Sequence, residues 1–424
     1  MSNLTLQERR VVITGMGVIA PNGKDLRSFW NTVRMGISAA DIVTRFETAG
    51  LPCHVAAEIR NFRAEDYMDS KAAKRLERSQ QYGLAAARLA ATDSGLDVTK
   101  VDADRCGIVE ATSLSNVEAA YRGKDAYARR GYRAIGPWAM INGYVGSGSA
   151  EIANSLGLKG HAITCSSSSA SGNDVMGYAL SMIQHEDVDV MIAGGAEAPL
   201  IETVWVGFAQ ARAMTRWAGP PQKAMKPFDK NADGFIMGEG GAYVVMEELT
   251  HALSRNARIY AEVLGHGRSC EAYSPMAPHP DGLGVQRAIE KCLRKAGMEP
   301  SEIEYINVHG SANTSNDVAE SRAIKHFFGA HAYRLAVNST KPVTGHPLAA
   351  AGAFETVICS LALANEEIPM TLNLKDPAED CDLDYVRDRS RPYPLRTALS
   401  LNSGFGGKTS SLLLGRYPPT SGGS

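Results

Sequence analysis

The sequence lacks the features that mark several large classes of protein. Its seven cysteines are scattered without a CxxC pair, a pattern typical of free thiols in a reducing compartment. The formal net charge is only -2, which argues against an electrostatic footprint for nucleic acid. No His/Cys cluster has zinc spacing, and no apolar run approaches the roughly 20 residues that span a bilayer.

Both ends of the sequence are polar or rich in small residues. Met1 to Arg10 is polar and lacks the apolar centre of a signal peptide, so we expect a cytoplasmic protein. Residues 417–424, rich in Pro, Gly and Ser, are expected to form a flexible tail outside the fold. The rest is ordinary globular composition, 44% hydrophobic and 21% charged over 424 residues, enough for two domains or one duplicated domain.

Short β-rich runs alternate with helical stretches, and this alternation predicts a layered α/β domain. No repeat is visible in the sequence. Strands are predicted at residues 11–14, 188–193, 242–246, 259–264, 305–308, 335–338, 398–401 and 411–414. Helices are predicted at residues 75–94, 170–184, 283–296 and 349–364.

Four motifs carry the chemistry of the chain. A serine-rich segment, Ile-Thr-Cys-Ser-Ser-Ser-Ser-Ala-Ser-Gly at 163–172, lies before a predicted helix of small residues. His309 stands in His-Gly-Ser-Ala-Asn, and His346 ends Thr-Lys-Pro-Val-Thr-Gly-His. Gly-Phe-Gly-Gly at 404–407 lies near the end of the chain. One His after a strand is usually structural, but two in the same kind of position indicate a reactive site.

Together these motifs resemble the β-ketoacyl-acyl-carrier-protein synthases, over residues 11–415. The resemblance implies a thiolase-type αβαβα five-layer fold of two similar halves. The N-terminal half, 1–250, would hold the nucleophile elbow, and the C-terminal half, 251–416, both histidines. It also implies that the chain forms a homodimer and that its partner protein is an acyl carrier protein. The substrate would be attached to the phosphopantetheine arm of the carrier protein, and no further cofactor or metal is expected. Neither nucleic acid nor a membrane is expected as a partner.

The family's nucleophilic Cys falls at Ser169 in this chain. Counting back from Gly-Gly-Ala-Glu at 194–197 in the family register reaches Ser169 without a gap and places Cys165 inside the approaching strand. A thiol at a helix N-terminus loses its proton easily, whereas an alcohol needs an adjacent general base before it can attack. Without the flanking match, the serine run would be interpreted as a polar turn.

The resemblance assigns roles to five further residues. His309 and His346 would donate hydrogen bonds to the thioester oxygen of a malonyl substrate, whose enolate needs preorganised donors. Lys341 would support the site electrostatically, and Glu320 is expected to pair with it. Asp317 and Glu320 lie three residues apart and share one helix face. Without the motifs, all three charged residues would be interpreted as solvated surface groups.

The resemblance also defines an oxyanion hole and a substrate pocket. The backbone N–H groups of Ser169 and Phe405 would form the nucleophile-side oxyanion hole. Ser403 stands where many members have a gating Phe, and Ser311 and Asn313 replace two threonines. The segment from Ser403 to Gly407 is closer to that of the ketosynthases of aromatic polyketides. The replaced threonines bear on the shape of the substrate that the pocket accepts rather than on the class of reaction.

Three functions remain open from the sequence. The first is decarboxylation of malonyl-carrier protein to acetyl-carrier protein, as in the Cys-to-Ser ketosynthase-like decarboxylases of polyketide β-branching cassettes. The second is decarboxylative condensation, with Ser169 either natural or an engineered replacement of a cysteine. The third is a non-catalytic partner subunit that shapes a chain-length cavity, against which the retained histidines and Lys341 argue.

Overall fold

The computed structural model describes residues 9–417. Residues 1–8 and the predicted tail from 418 onward lie outside the described residues. The described strands are β1 Val11–Ile19, β2 Asp41–Ile42, β3 Val55–Ala57, β4 Cys106–Ala111, β5 Ala162–Cys165, β6 Val190–Glu197, β7 Met237–Gly238, β8 Gly240–Glu248, β9 Ala261–Cys270, β10 Tyr305–Asn307, β11 Ala336–Asn338, β12 Glu367–Ile368, β13 Arg391–Pro392, β14 Thr397–Gly404 and β15 Lys408–Gly415.

Helices cover both faces of the main sheet. They are α1 Leu26–Arg34, α2 Ser70–Arg75, α3 Arg78–Ser94, α4 Val117–Arg130, α5 Trp138–Gly143, α6 Ser147–Leu156, α7 Ser171–Gln184, α8 Glu202–Gln210, α9 Leu249–Ser254, α10 Leu283–Ala296, α11 Thr314–Phe328, α12 Lys341–Thr344 and α13 Ala351–Asn365. Short 3₁₀ turns connect several of them.

Two halves with the same strand order make up the structure. The first half has the order β5-β4-β6-β8-β1, and the second has β11-β10-β14-β15-β9. In each half the outer three strands run parallel and the last two pairings are antiparallel. The halves join edge to edge where β1 pairs with β9. The predicted α/β fold of two similar halves is confirmed, although the sequence shows no repeat.

The layers follow from which helices contact which half-sheet. Helix α3 packs on β1, β6 and β8, and helix α10 packs on β9 and β15. Helices α7 and α13 lie between the two half-sheets and contact strands of both. Because α13 is enclosed on all sides, almost every residue in it is buried. The segment Leu348–Asn365 is long and apolar enough to cross a membrane, but 89% of it is buried in the protein, as expected of a core helix.

Several predicted boundaries differ from those in the structure, and two of these differences have a clear local cause. Strand β1 continues through Gly15 and Gly17 to Ile19, because these glycines let helix α3 approach. A Cβ at Gly17 would lie 2.1 Å from the carbonyl oxygen of Ala86. The helix predicted at 75–94 begins only at Arg78, since Leu76 and Glu77 are extended and Glu77 is the N-cap of α3, whereas Arg75 ends α2.

Candidate active site

A cavity of about 500 Å³ lies where the serine-rich elbow, both histidine loops and the 404–407 loop meet. Ser169, His309 and His346 line it together with the apolar side chains of Phe208 and Phe235. The structure therefore brings together the three side chains that the sequence analysis placed at the centre of the chemistry.

Ser169 lies on the elbow between strand β5 and helix α7. Ser168, the residue before it, has φ of 60°, in the left-handed region that non-glycine residues rarely adopt. The turn is held by Ser171, whose hydroxyl donates to the Ser168 carbonyl at 2.5 Å and accepts from the Ser167 N–H at 2.7 Å. Cys165 ends strand β5, as predicted, and burial raises the pKa of its thiol.

The two histidines reach the cavity from the second half of the fold. His309 follows β10 and His346 follows α12. The Nε2 atom of His346 lies 3.1 Å from the Ser169 hydroxyl oxygen, and the two imidazole centres are 5.3 Å apart. Phe235 packs against His346 with ring centres 5.0 Å apart. A hydroxyl and two imidazoles thus converge on one small space.

Both imidazoles are held in the neutral form. Burial, and then the charge of Lys341, lowers the pKa of His309 and of His346 well below the ordinary value. Among the described residues, the Nδ1 atom of neither ring has a hydrogen-bond partner. A neutral imidazole carries one N–H and can donate a hydrogen bond to a developing oxyanion without itself changing charge.

The expectation that Glu320 pairs with Lys341 is wrong. Lys341 is only 1% exposed, and its Nζ donates to Oε1 of Glu355 on helix α13 at 2.5 Å. Asn402 donates to the other oxygen of Glu355. Glu320 instead accepts the backbone N–H groups of His309 and Gly310, at 2.7 and 2.9 Å. It fixes the His309 loop, while Glu355 neutralises Lys341.

Asp317 and Glu320 lie on one face of α11, as predicted. Asp317 accepts the backbone N–H of Phe228 at 2.8 Å, so it holds a neighbouring loop. Burial raises the pKa of Asp317 to about 8 and that of Glu320 to about 7. Both acids serve the backbone around the site, and Glu320 also lines the cavity.

The 404–407 loop joins β14 to β15 and lies against the elbow. A Cβ at Gly404 would lie 2.9 Å from the backbone nitrogen of Ser169, so a side chain there would collide with the elbow. Gly406 and Gly407 have φ of 85° and 69°, which favour glycine. Phe405 is 41% exposed, and its ring stacks on that of Phe208 with the ring centres 6.1 Å apart. The oxyanion-hole role of the Ser169 and Phe405 N–H groups remains a prediction.

All three predicted pocket residues line the cavity. Ser311 is buried, and Ser403 lies 3.4 Å from the Thr409 hydroxyl, oxygen to oxygen. Asn313 has a structural task that the sequence analysis did not assign, because its side chain accepts the Asn316 N–H at 3.3 Å and caps helix α11. Their contacts with a substrate remain predictions.

Comparison with protein families supplies the identification. The model of the β-ketoacyl synthase N-terminal domain matches residues 8–252, and that of the C-terminal domain matches residues 260–375. This chain belongs to the β-ketoacyl synthase family. The predicted family resemblance is thereby confirmed.

Curated relatives match over nearly the whole length. The 3-oxoacyl-[acyl-carrier-protein] synthase 2 of Coxiella burnetii is 40% identical over 97% of this chain and 99% of its own. The protein of the same name from Synechocystis is 37% identical, over 97% of this chain and 99% of its own.

Solved structures also match over nearly the whole length of the chain. The ishigamide ketosynthase/chain length factor has a TM-score of 0.90 and 33% identity, covering 97% of this chain and 100% of its own. A ketosynthase in complex with its type II polyketide acyl carrier protein, bound to the hexaketide, has a TM-score of 0.88 and 31% identity over 97% and 100%.

The sequence analysis missed three groups that shape this site. Phe208 and Phe235 do not belong to any of the recognised sequence motifs, and it is the fold that places them in the cavity wall. Glu355 had a signal that was overlooked, since it is a single acid in a predicted helix of otherwise apolar and small residues. A charged residue in such a helix is almost never fully buried unless it is paired.

Replacing Glu355 by Gln should destabilise the protein by about 3–5 kcal/mol, because it leaves the buried ammonium of Lys341 without a counter-charge. The free energy of unfolding in urea measures this effect. Asp382→Asn is the matched control, since Asp382 pairs with Lys325 at 2.7 Å near the surface. This exposed pair should contribute at most about 1 kcal/mol. Equal, small losses in both variants would contradict the assignment.

Proposed function

We propose that this ketosynthase-family protein decarboxylates malonyl-carrier protein to acetyl-carrier protein. The observation that supports the proposal is the pairing of two buried, neutral imidazoles with a hydroxyl in place of a thiol. The Ser169 oxygen lies 3.1 Å from Nε2 of His346. Such a site can stabilise an enolate but is poorly equipped to become acylated.

The reaction balances without a redox step. The bond between the malonyl α-carbon and its carboxylate breaks, CO2 leaves, and the electron pair remains as the enolate of the acetyl thioester. His309 and His346 would each donate an N–H to the enolate oxygen, where charge develops. A proton from water then converts the α-carbon to the acetyl methyl group. No cofactor is needed beyond the phosphopantetheine arm that carries the substrate.

Ser169 is a poor nucleophile in this setting. Attack by its hydroxyl requires a base that takes the proton, and His346 is the group in reach. Burial and the nearby charge of Lys341 lower the pKa of His346, so the imidazolium that would form is disfavoured. In a Ser-His-Asp triad an acid on Nδ1 stabilises that cation, whereas Nδ1 of His346 has no partner among the described residues.

The second candidate is condensation of an acyl group with the malonyl unit. The names of the curated relatives, 3-oxoacyl-[acyl-carrier-protein] synthase 2, favour it. Ser169 would then be a slow natural nucleophile or an engineered replacement for a cysteine. A third role, as a non-catalytic chain-length partner, is disfavoured because the His pair and the buried Lys341–Glu355 pair are complete.

The partner we propose is an acyl carrier protein, in the cytoplasm. This choice is supported by the solved structure of a ketosynthase, 31% identical to this chain, in complex with its type II polyketide acyl carrier protein. The pathway would be polyketide or fatty acid synthesis. We propose no role for nucleic acid, a membrane or a metal.

We further propose that two copies of the chain form a homodimer through strand β5. This strand lies at the end of the sheet order, and its outer edge is unpaired among residues 9–417. Ten of the eighteen large apolar side chains that are exposed among residues 9–417 lie between Tyr121 and Ile163. A patch of this kind beside a free edge is typical of an interface.

Ile163→Asp should convert the dimer into monomers, because it places a charge on the paired edge and in the apolar patch. The molar mass measured by light scattering after size exclusion would fall from that of two chains to that of one. Leu253→Asp, at an exposed apolar position on α9, is the control and should stay dimeric. A wild-type protein that elutes with the mass of one chain would refute the proposal.

His309→Ala should lower the rate of decarboxylation by about 10²-fold or more, because one oxyanion donor is lost. The substrate is a malonyl-loaded bacterial acyl carrier protein without an acyl primer, and mass spectrometry follows the loss of CO2 from the carrier arm. Cys165→Ala is the control and should keep the wild-type rate. Loss of activity in Cys165→Ala would mean that the elbow has a different register.

Ser169→Cys should allow the protein to be acylated, since a thiol at a helix N-terminus ionises far more readily than an alcohol. The intact mass of the protein after incubation with acyl-carrier protein would increase by one acyl group. The wild-type chain treated in the same way should show no adduct. A folded Ser169→Cys protein without any adduct would indicate that the pocket, altered at Ser403 and Asn313, does not accept an acyl chain.

A further inference from the structure

A partly buried polar network begins on the elbow and includes Ser167, Asp174, His266 and Ser410. The Ser167 hydroxyl donates to Oδ2 of Asp174 at 2.6 Å. Nε2 of His266 lies 3.4 Å from Oδ1 of Asp174 and 3.0 Å from the Ser410 hydroxyl oxygen. Ser167 is two residues before Ser169, so the network begins on the elbow itself.

The network crosses between the two halves of the fold. Asp174 belongs to α7 in the first half, whereas His266 and Ser410 belong to β9 and β15 in the second. The chain makes room for the imidazole with Gly177, where a Cβ would lie only 2.1 Å from Nδ1 of His266. Any other residue at 177 would collide with the ring, so Gly177 and His266 fit each other.

Ser167 is fixed on two sides at a strained turn. Its N–H donates to the Ser171 hydroxyl at 2.7 Å, and its own hydroxyl is held by Asp174. The next residue, Ser168, has the left-handed φ of 60°. Such a conformation is strained and persists only where the surrounding contacts hold it in place. The bonds of Ser167 and Ser171 supply that restraint.

Asp174 is a strong anchor for this turn. Burial works against its charge, but the nearby His266 ring, the hydrogen bond from Ser167 and the nearby Ser410 hydroxyl together outweigh burial, so the pKa of Asp174 lies below the ordinary value. The side chain is therefore a carboxylate, and a hydrogen bond to a carboxylate is roughly twice as strong as one between neutral groups.

We propose that Ser167, Asp174 and His266 are positioning residues that set the distance between Ser169 and His346. Ser169 stands on the first half and His346 on the second, so their 3.1 Å contact depends on how the elbow is tied to the second half. A misplacement of about 1 Å in an active site can cost about 10²-fold in rate. The network restrains the elbow within a few residues of the reacting group.

The test uses Ser167→Ala, which removes the hydrogen bond from Ser167 to Asp174 without changing any charge. With malonyl-loaded carrier protein, kcat should fall about 10-fold or more while KM stays within about twofold, since position and not binding is lost. Ser167→Thr keeps the hydroxyl and should restore most of kcat. The control is His251→Ala, which removes another contact between a histidine and a carboxylate. Nδ1 of His251 lies 2.7 Å from Oε1 of Glu247, and this pair lies away from the cavity, so kcat should be unchanged.

A second readout does not depend on the proposed function. In the Ser169→Cys background, iodoacetamide alkylation of the introduced thiol is followed against pH, with peptide mass spectrometry separating it from Cys165 and Cys270. Adding Ser167→Ala should move the midpoint upward, toward about 8.5 for an ordinary thiol. If the wild-type chain releases no CO2, the proposed function fails, but this midpoint still tests the network. Unchanged kcat together with an unchanged midpoint would overturn the proposal, and so would a matching loss in His251→Ala.

Discussion

The contact between Ser169 and His346 is the constraint on which this site depends. The two side chains come from different halves of the fold, and 3.1 Å separates the hydroxyl oxygen from Nε2. The two side chains can meet only because helix α7 packs beside α13 in the central layer and both half-sheets pack against these two helices. Glycines permit this approach, since a Cβ at Gly172 would lie 2.5 Å from the Ala353 nitrogen. The packing of the central layer therefore determines the geometry of the site.

Electrostatics decides what the converged groups can do. Lys341 is buried close enough for its charge to act on both histidines, and Glu355 on helix α13 compensates that charge. A cation so placed lowers the pKa of both imidazoles and opposes a second positive charge in the site. The same arrangement that keeps two N–H donors neutral for an enolate makes His346 an unsuitable base for a serine. With a thiol at 169 this would matter little, because a thiolate forms at a helix N-terminus without such a base.

Local signals predicted much of this, and long-range contacts account for the rest. The register of the elbow, the positions of His309 and His346 and most strands follow from short motifs and apolar runs. The partner of Lys341 could not be read from a motif, because Glu355 lies fourteen positions away on a different element. Spacing also could not show that Glu320 would turn to the backbone of the His309 loop, or that His266 reaches Asp174 across the halves. The two half-sheets share one strand order because their strands pair in the same way, but the amino-acid sequences of the two halves show no visible similarity.

The most direct test of decarboxylation as the function offers the wild-type chain both substrates at once. Acyl-carrier protein and malonyl-carrier protein are incubated together with the enzyme, and the masses of both carrier arms are followed with time. The account predicts that acetyl-carrier protein accumulates while the acyl-carrier protein remains unchanged. A 3-oxoacyl product, longer than the acyl primer by two carbons, would show that Ser169 transfers acyl groups and would contradict the account.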